Sequence, residues 1–325
     1  MGPLRTLVSN DDGISAPGIV ALVAALGSMG SCDVYVSAPT HERSASSHAI
    51  TLGQHLTAAP VQMQGATEAY AVDGRPADCT MLALHGPLFQ SQDFDLVVSG
   101  INRGDNLGLH VIYSGTVGAA EEAAIKGVPA IAVSLDNYKA LTPEGFMAGA
   151  AYVVALIQAL YPSNGAAKLQ LSHLAHVVVN INIPAQDPFQ GFYLAHQGSG
   201  IVDLNFQQVT PETPDKKEGH YMETVGNECE AKTPQHAQQP VGVRTFRNFA
   251  GAVCWDETPG SDSWAVQQGW VSVTPLGLKG DITAQSQGLS TSSLRPNLEV
   301  ISTLSAAMKA AAHSLGVSVA ASPKL

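Results

Sequence analysis

Short apolar runs and longer apolar stretches of helical spacing alternate along the first half of the chain. Thr6-Leu7-Val8-Ser9 is apolar and β-prone and runs straight into the turn-forming cluster Asn10-Asp11-Asp12-Gly13, which predicts a buried strand ending in a loop. From Pro17 to Leu26 apolar residues recur at helical spacing behind a proline suited to a first turn, and Asp33 to Ser37 reads as a second strand. Strand, helix and strand in succession make a right-handed βαβ unit. The alternation continues with a helix from Pro76 to Leu84, a strand from Asp95 to Ser99 and a helix around Thr116 to Lys126. A strand at Ala130 to Ser134, a helix at Phe146 to Leu160 and a strand at Val177 to Ile183, stopped by Pro184, complete the series. The expected fold is α/β: a doubly wound, Rossmann-like, mostly parallel sheet covered by helices on both faces.

Beyond residue 200 the pattern changes. Gln207 to Pro240 is rich in Gln, Glu, Lys, Thr and Pro with little periodicity, and reads as an arm or long loop. Trp270 to Pro275 returns as a strand, and Leu298 to Leu315 has helical spacing with alanines on a face that can dock on the core or on a second subunit. The expected division is a Rossmann-like core over residues 1–200, an extended arm or hairpin and returning strand over 201–280 that complete the fold and the oligomer, and a C-terminal helix and tail over 281–325.

Composition narrows the possible functions. Hydrophobic residues make up 45% of the 325 positions and charged residues 13%, enough apolar surface for a large core. The formal charge of -11 repels a polyphosphate backbone, so a nucleic-acid polymer is excluded as a partner. A small phosphate is not excluded, because one metal ion and a few cations reverse the field within a single cleft. Cys32, Cys79, Cys229 and Cys254 are scattered without a CxxC pair and read as buried free thiols. No charged leader precedes an apolar stretch and no run approaches the roughly 18 apolar residues of a membrane span, so the expectation is a cytoplasmic protein without a membrane partner.

In a parallel sheet the ligand lies outside the carboxyl ends of the strands, near the point where strand order reverses, so the polar loops there are the places to look for chemistry. Four stand out: Asn10 to Gly13, His41 to His48, Gly100 to Asn106, and Tyr113 to Thr116. Asp11 and Asp12 are hard oxygen donors, and Ser44 and Asn102 supply neutral oxygens that complete the shell of Mg²⁺ or Mn²⁺. Taken alone, Asp12-Gly13 is equally a tight turn. Ser114, Gly115 and Thr116 open a helix where free N–H groups favour an anion, and an ordinary N-cap is the competing reading. Arg43 and Arg103 beside two of these residues either clamp phosphate oxygens or sit solvated on the surface. His48 is a conceivable acid or a structural hydrogen-bonding residue, and Cys79 reads as core.

These ordered runs resemble the SurE family of stationary-phase survival proteins. The carriers are Leu7 to Gly13 with Ala16-Pro17-Gly18, Ala38-Pro39 through Arg43 to Ser47, Gly74 to Cys79, Val97 to Gly108, and Tyr113 to Val117. Weaker similarity runs through Asn180 to Pro184 and Gly269 to Leu276, so the resemblance spans residues 4 to 280. It departs from the family's glycine-threonine-proline at Gly74-Arg75-Pro76, and the tail after residue 285 has no counterpart.

The resemblance implies a divalent-metal phosphomonoesterase acting on nucleoside 5′- and 3′-monophosphates, with one Mg²⁺ or Mn²⁺ per subunit held by Asp11, Asp12, Ser44 and Asn102. It also implies a homodimer or homotetramer built through C-terminal arms. Asp11, Asp12 and Asn102 are then the catalytic residues, with Asp11 taking the proton of an attacking water. Asn10, Arg43, Arg103, Asn106, Ser114, Gly115 and Thr116 then bind phosphate and substrate. Two alternatives stay open: a phosphatase with an aspartyl-phosphate intermediate, and a non-catalytic nucleotide-binding module. A dinucleotide is disfavoured, because no GxGxxG follows the first strand.

Overall fold

The computed structural model describes residues 2–90, 93–161, 171–209, 244–278 and 298–322. The chain opens with β1 (Leu4–Ser9), α1 (Pro17–Gly27), β2 (Cys32–Pro39), β3 (Ala58–Pro60), β4 (Glu68–Val72) and α2 (Pro76–His85). Then follow β5 (Leu96–Arg103), a 3-10 segment (Gly108–Ile112), α3 (Gly115–Ile125), β6 (Ala130–Leu135), α4 (Glu144–Leu160), β7 (Val177–Ile183) and β8 (Gly191–Leu194). The last described elements are β9 (Ile201–Val209), β10 (Thr245–Cys254), α5 (Asp262–Gln267), β11 (Val271–Gly277), α6 (Leu298–Leu315) and β12 (Ser318–Ala321).

Ten strands form one sheet in the order β12-β8-β11-β7-β6-β5-β1-β2-β4-β3, parallel except at β11–β7 and β3–β4. The central strands are buried on both faces, which is why they read as continuous apolar runs rather than alternating ones. On one face Leu4, Val8, Val36, Val98, Ile131 and Val133 pack with α1, α4 and α6. On the other, Leu7, Tyr35, Val97 and Ala132 meet the small-residue face of α3, with Val117, Ala120, Ala123 and Ala124. The expected doubly wound α/β fold is present.

From β1 the chain moves outward through β2 and β4, then crosses back to the other side of β1 and continues through β5, β6 and β7. Strand order therefore reverses between β1 and β5, and the crevice at their carboxyl ends is the natural ligand position.

The structure corrects several expectations. β5 runs on to Arg103 instead of ending at Ser99, so Gly100 to Arg103 belongs to the strand. It does so across a bulge, where Ser99 pairs with Ala132 but Asn102 with Ser134, three residues on β5 against two on β6. β3, β4, β8 and β12 are edge or near-edge strands of three to five residues, too short to leave an apolar run in the sequence. β9 and β10 form a separate antiparallel ribbon within the stretch expected as an arm or hairpin, and its polar alternation lacks the apolar face of a core strand. The remainder of that expected arm, 210–243, and the start of the expected tail, 281–297, lie outside the described residues. Late elements rejoin the core: β8, β11 and β12 extend the sheet and α6 joins α4 in the core.

Candidate active site

The loop after β1 folds on itself. The Asn10 side chain donates from Nδ2 to Gly13 O (2.9 Å) and accepts from Gly13 N (3.2 Å), and Gly13 takes a φ of +102°, which suits a residue without Cβ. This turn lets two consecutive carboxylates serve neighbouring elements rather than opposite faces of a strand. Asp11 Oδ1 accepts the Thr116 hydroxyl at 2.5 Å, tying it to the start of α3. Asp12 Oδ2 accepts Arg103 N at 3.0 Å, tying it to the end of β5. The second loop is stitched to the first through Arg43 N donating to Asp11 O at 2.7 Å.

Three further residues are set from below. Asn102, placed by the β5 bulge, donates Nδ2 to Gly104 O at 2.9 Å, which fixes its amide and leaves Oδ1 as the end for a cation. Ser44 donates its hydroxyl to Glu42 at 2.8 Å. Asn106 is buried, its N–H on Asn182 Oδ1 (2.8 Å) and its Nδ2 on Ser134 (2.7 Å). At the start of α3, Ser114 caps the helix by accepting Val117 N at 3.0 Å. Gly115 is pressed against the carboxylate loop: a Cβ there would lie 2.6 Å from Ser46 Oγ and 2.8 Å from Asp11 Cβ.

These elements surround a cavity of about 380 Å³. Of the residues the sequence pointed to, Asp11, Ser44, Asn102, Arg103, Asn106 and Ser114 lie on its wall. Asp12, Gly115 and Thr116 stand behind it, bonded to or pressed on wall residues. Asn10 and Arg43 are not brought in. Asn10 spends its amide on its own turn, and the Arg43 guanidinium pairs with exposed Asp73 at 3.2 Å. His48 lies between Glu121 (3.0 Å) and Glu122 (2.7 Å) of α3, a structural clamp that raises its pKa to about 9. Cys79 is core, and burial pushes its thiol pKa up. Arg75 takes the N-cap position of α2.

Other wall residues were not among the candidates: Glu42, Asp105 and Tyr113, which lie in the polar loops already singled out, and His110, Tyr138, Val202, Leu204 and Asn248, which do not. The available signal was the period-two recurrence of Val202 and Leu204 on a strand. Nothing in the spacing of Asp105, His110 and Tyr138 reveals that they meet.

Burial raises Asp11, against the hydrogen bonds from Thr116 and Gly115. Burial and then the charge of Asp11 push Asp12 up to about 8, despite the Arg103 N–H. Two carboxylates held side by side, one buried and one half-buried, thus resist carrying two negative charges, a conflict that a divalent cation would remove. Among the described residues no cluster of three or more His, Cys, Asp or Glu is arranged to hold a metal. The set that fits a hard cation is instead Asp11 and Asp12 with the neutral oxygens of Ser44 and Asn102.

A family model described as survival protein SurE matches residues 6–203. The chain is similar to 5'-nucleotidase SurE of Desulfitobacterium hafniense, 35% identical over 274 residues that cover 84% of this chain and 90% of the relative. It is similar to 5'-nucleotidase SurE 1 of Thermus thermophilus, 38% identical over 283 residues, 86% of this chain and 94% of the relative. The crystal structure of SurE protein from Aquifex aeolicus matches with a TM-score of 0.62 at 29% identity, covering 88% of this chain and 98% of that one.

Proposed function

The chain belongs to the SurE family, and we propose that it is a metal-dependent phosphatase hydrolysing nucleoside 5′- and 3′-monophosphates by attack of water. The observation that carries this reading is the adjacent Asp11–Asp12 pair at the strand-order reversal, with buried Asp11 on the wall of a cavity of nucleotide size beside the start of α3. Relatives named 5'-nucleotidase support the substrate class.

One Mg²⁺ or Mn²⁺ per subunit would be held by Asp11, Asp12, Ser44 and Asn102. What it supplies is positive charge opposite the phosphoryl oxygens and a water of lowered pKa. The chain's own residues do the rest. Ser114, at the start of α3 and on the cavity wall, faces a phosphate, and Asn106, locked by Ser134 and Asn182, offers a rigid wall that positions it without reorganisation. Arg103 on the same wall is the cation that meets a phosphate oxygen. Asp11, anchored by Thr116, accepts the proton of the attacking water. Val202 and Leu204 close one side and hold bulk water back from the reacting oxygens.

The test is release of inorganic phosphate from a panel of nucleoside monophosphates, with chelator and with added Mn²⁺ or Mg²⁺. Metal-dependent release is expected. Tight nucleotide binding without any release would replace the enzyme by a binding module, and solvent ¹⁸O appearing in an enzyme carboxylate after a single turnover would replace direct attack by an aspartyl-phosphate route.

A further inference from the structure

We propose that His110 is a catalytic acid whose Nε2 gives a proton to the ester oxygen of the departing nucleoside, with Asp105 and Tyr138 as its positioning residues. This rests on the phosphatase reading and supplies a role that reading leaves unfilled. A nucleoside leaves as the conjugate base of an ordinary alcohol, so the reaction needs a proton donor on the leaving side. Asp11 is already committed to the water on the entering side.

His110 sits on the 3-10 segment Gly108–Ile112, which is fixed to the body of the protein at its start. Gly108 N donates to Asp262 Oδ2 (3.0 Å), Leu109 N donates to Gly200 O (2.8 Å), and Gly108 O accepts Gln197 Nε2 (2.8 Å). The ring is held as firmly. Its Nδ1 lies 2.7 Å from Asp105 Oδ1, and the Asp105 side chain is fully buried. Asp105 is itself oriented by Leu107 N on Oδ1 (3.2 Å) and by the Tyr138 hydroxyl on Oδ2 (3.3 Å). A carboxylate on Nδ1 places the other functional proton on Nε2 and favours the imidazolium.

His110 Nε2 is buried and has no hydrogen-bond partner among the described residues, and His110 lines the same cavity as Asp11, Asn102 and Asn106. Such a nitrogen is completed by an oxygen of a molecule in that cavity. Asp105 on the β5 side, Asp136 after β6 and Asp262 on α5 all act on the ring, and Trp255 packs near it with ring centroids 5.8 Å apart. Glu42, Arg103 and Asp11 stand on the other walls of the cavity. Burial disfavours the cation, but the hydrogen bond and charge of Asp105, followed by Asp262 and Asp136, outweigh it and raise the His110 pKa above the ordinary imidazole value. The protonated form an acid needs is thus favoured beyond that of an ordinary imidazole.

In the step, the water oxygen forms a new bond to phosphorus as the bond from phosphorus to the nucleoside oxygen breaks. The electron pair of that bond stays on the nucleoside oxygen, which takes the proton from Nε2, while the proton of the water passes to Asp11. Nucleoside and phosphate leave, Asp11 gives up its proton to solvent or product, and His110 recovers one.

The experiment compares two substrates in one preparation of the Mn²⁺-loaded enzyme: a nucleoside monophosphate, and p-nitrophenyl phosphate, whose phenolate departs without a proton. In H110Q and in H110N, kcat for the nucleotide is expected to fall about 10²–10³-fold and that for the aryl ester less than about 10-fold. Because any inactive fraction scales both rates alike, the ratio of the two rates carries the result, and a ratio unchanged from wild type in both variants overturns the proposal. In D105N the alkaline limb of the kcat profile for the nucleotide should move to lower pH, since the charge that favours the imidazolium is gone. A slower enzyme with an unmoved limb would reduce Asp105 to a structural role and overturn its assignment. A wild-type protein that releases no phosphate from either substrate is a separate result, which removes the phosphatase reading and this proposal with it.

Discussion

Asp11 is the residue on which the chemistry converges: a fully buried side chain, bonded to Thr116, beside a second carboxylate, on the wall of the cavity. D11N keeps its volume and its hydrogen bond from Thr116 but removes the charge. It should lower kcat by about 10³-fold while leaving the melting temperature at or above that of wild type, because an uncompensated buried charge is gone. Phosphate-release kinetics beside a thermal melt decides this, and undiminished turnover rejects the assignment. Gly115 is the complementary case, required for its lack of a side chain. G115A forces a methyl against Ser46 and Asp11, and a misplacement of this kind should cost about 10²-fold in kcat with the circular dichroism spectrum unchanged. The adjacent aspartates, Ser44, Asn102 and Ser114 were legible because each lies in a polar loop next to a recognisable strand or helix start. Asp105, His110 and Tyr138 were not. Asp105 and His110 lie five residues apart in one stretch without a telling pattern, and Tyr138 reaches them only through the pairing of β5 with β6.

Among the elements, α3 does most to organise the site. Its first turn supplies Ser114, Gly115 and Thr116, and its second holds the Ser44 loop through His48, set between Glu121 and Glu122. The folded pKa of His48, about 9, lies above its usual 6.5, so the clamp is complete below about pH 6.5 and is lost as pH rises through about 9. Comparing wild type with H48Q by urea denaturation should show a difference of about 1 kcal/mol at pH 6.5, since solvent reaches the pair, that closes above pH 9. A difference that grows with pH contradicts the sign. Helices and central strands were readable because burial on both faces leaves long apolar runs, as in β6 and β7. The short edge strands and the β9–β10 ribbon left no such trace. β9 is mostly exposed, and its polar side conceals the alternate positions that wall the cavity.

At the scale of the whole molecule that ribbon carries two functions on one face. Phe206 pairs with Asn248 and Phe246 with Gln208, so with strand period two Val202, Leu204, Phe206, Phe246 and Asn248 share a side. Its root encloses the cavity, while farther out Phe206 and Phe246 are 70% and 55% exposed. Exposed aromatics on an extended ribbon are the surface expected of an arm that meets a second subunit, as in the homodimer or homotetramer that the family resemblance implies. Light scattering on the wild-type protein should give a mass of two or four chains, and the double variant F206S/F246S should shift it toward one. Wild-type protein that stays monomeric at high concentration contradicts the arm's role. No helix among the described residues is long and apolar enough to cross a membrane. All of this depends on one arrangement, in which oxygens of four side chains from three separate segments meet at the reversal of strand order. The most direct test is calorimetric titration of the metal-free protein with Mn²⁺, for wild type and for D11N, D12N and N102A. One ion per chain in wild type, with affinity reduced about 10-fold or more in each variant, is the predicted result, because each loses a ligand or its charge. Stoichiometric binding that survives unchanged in all three variants would place the ion elsewhere and contradict the account.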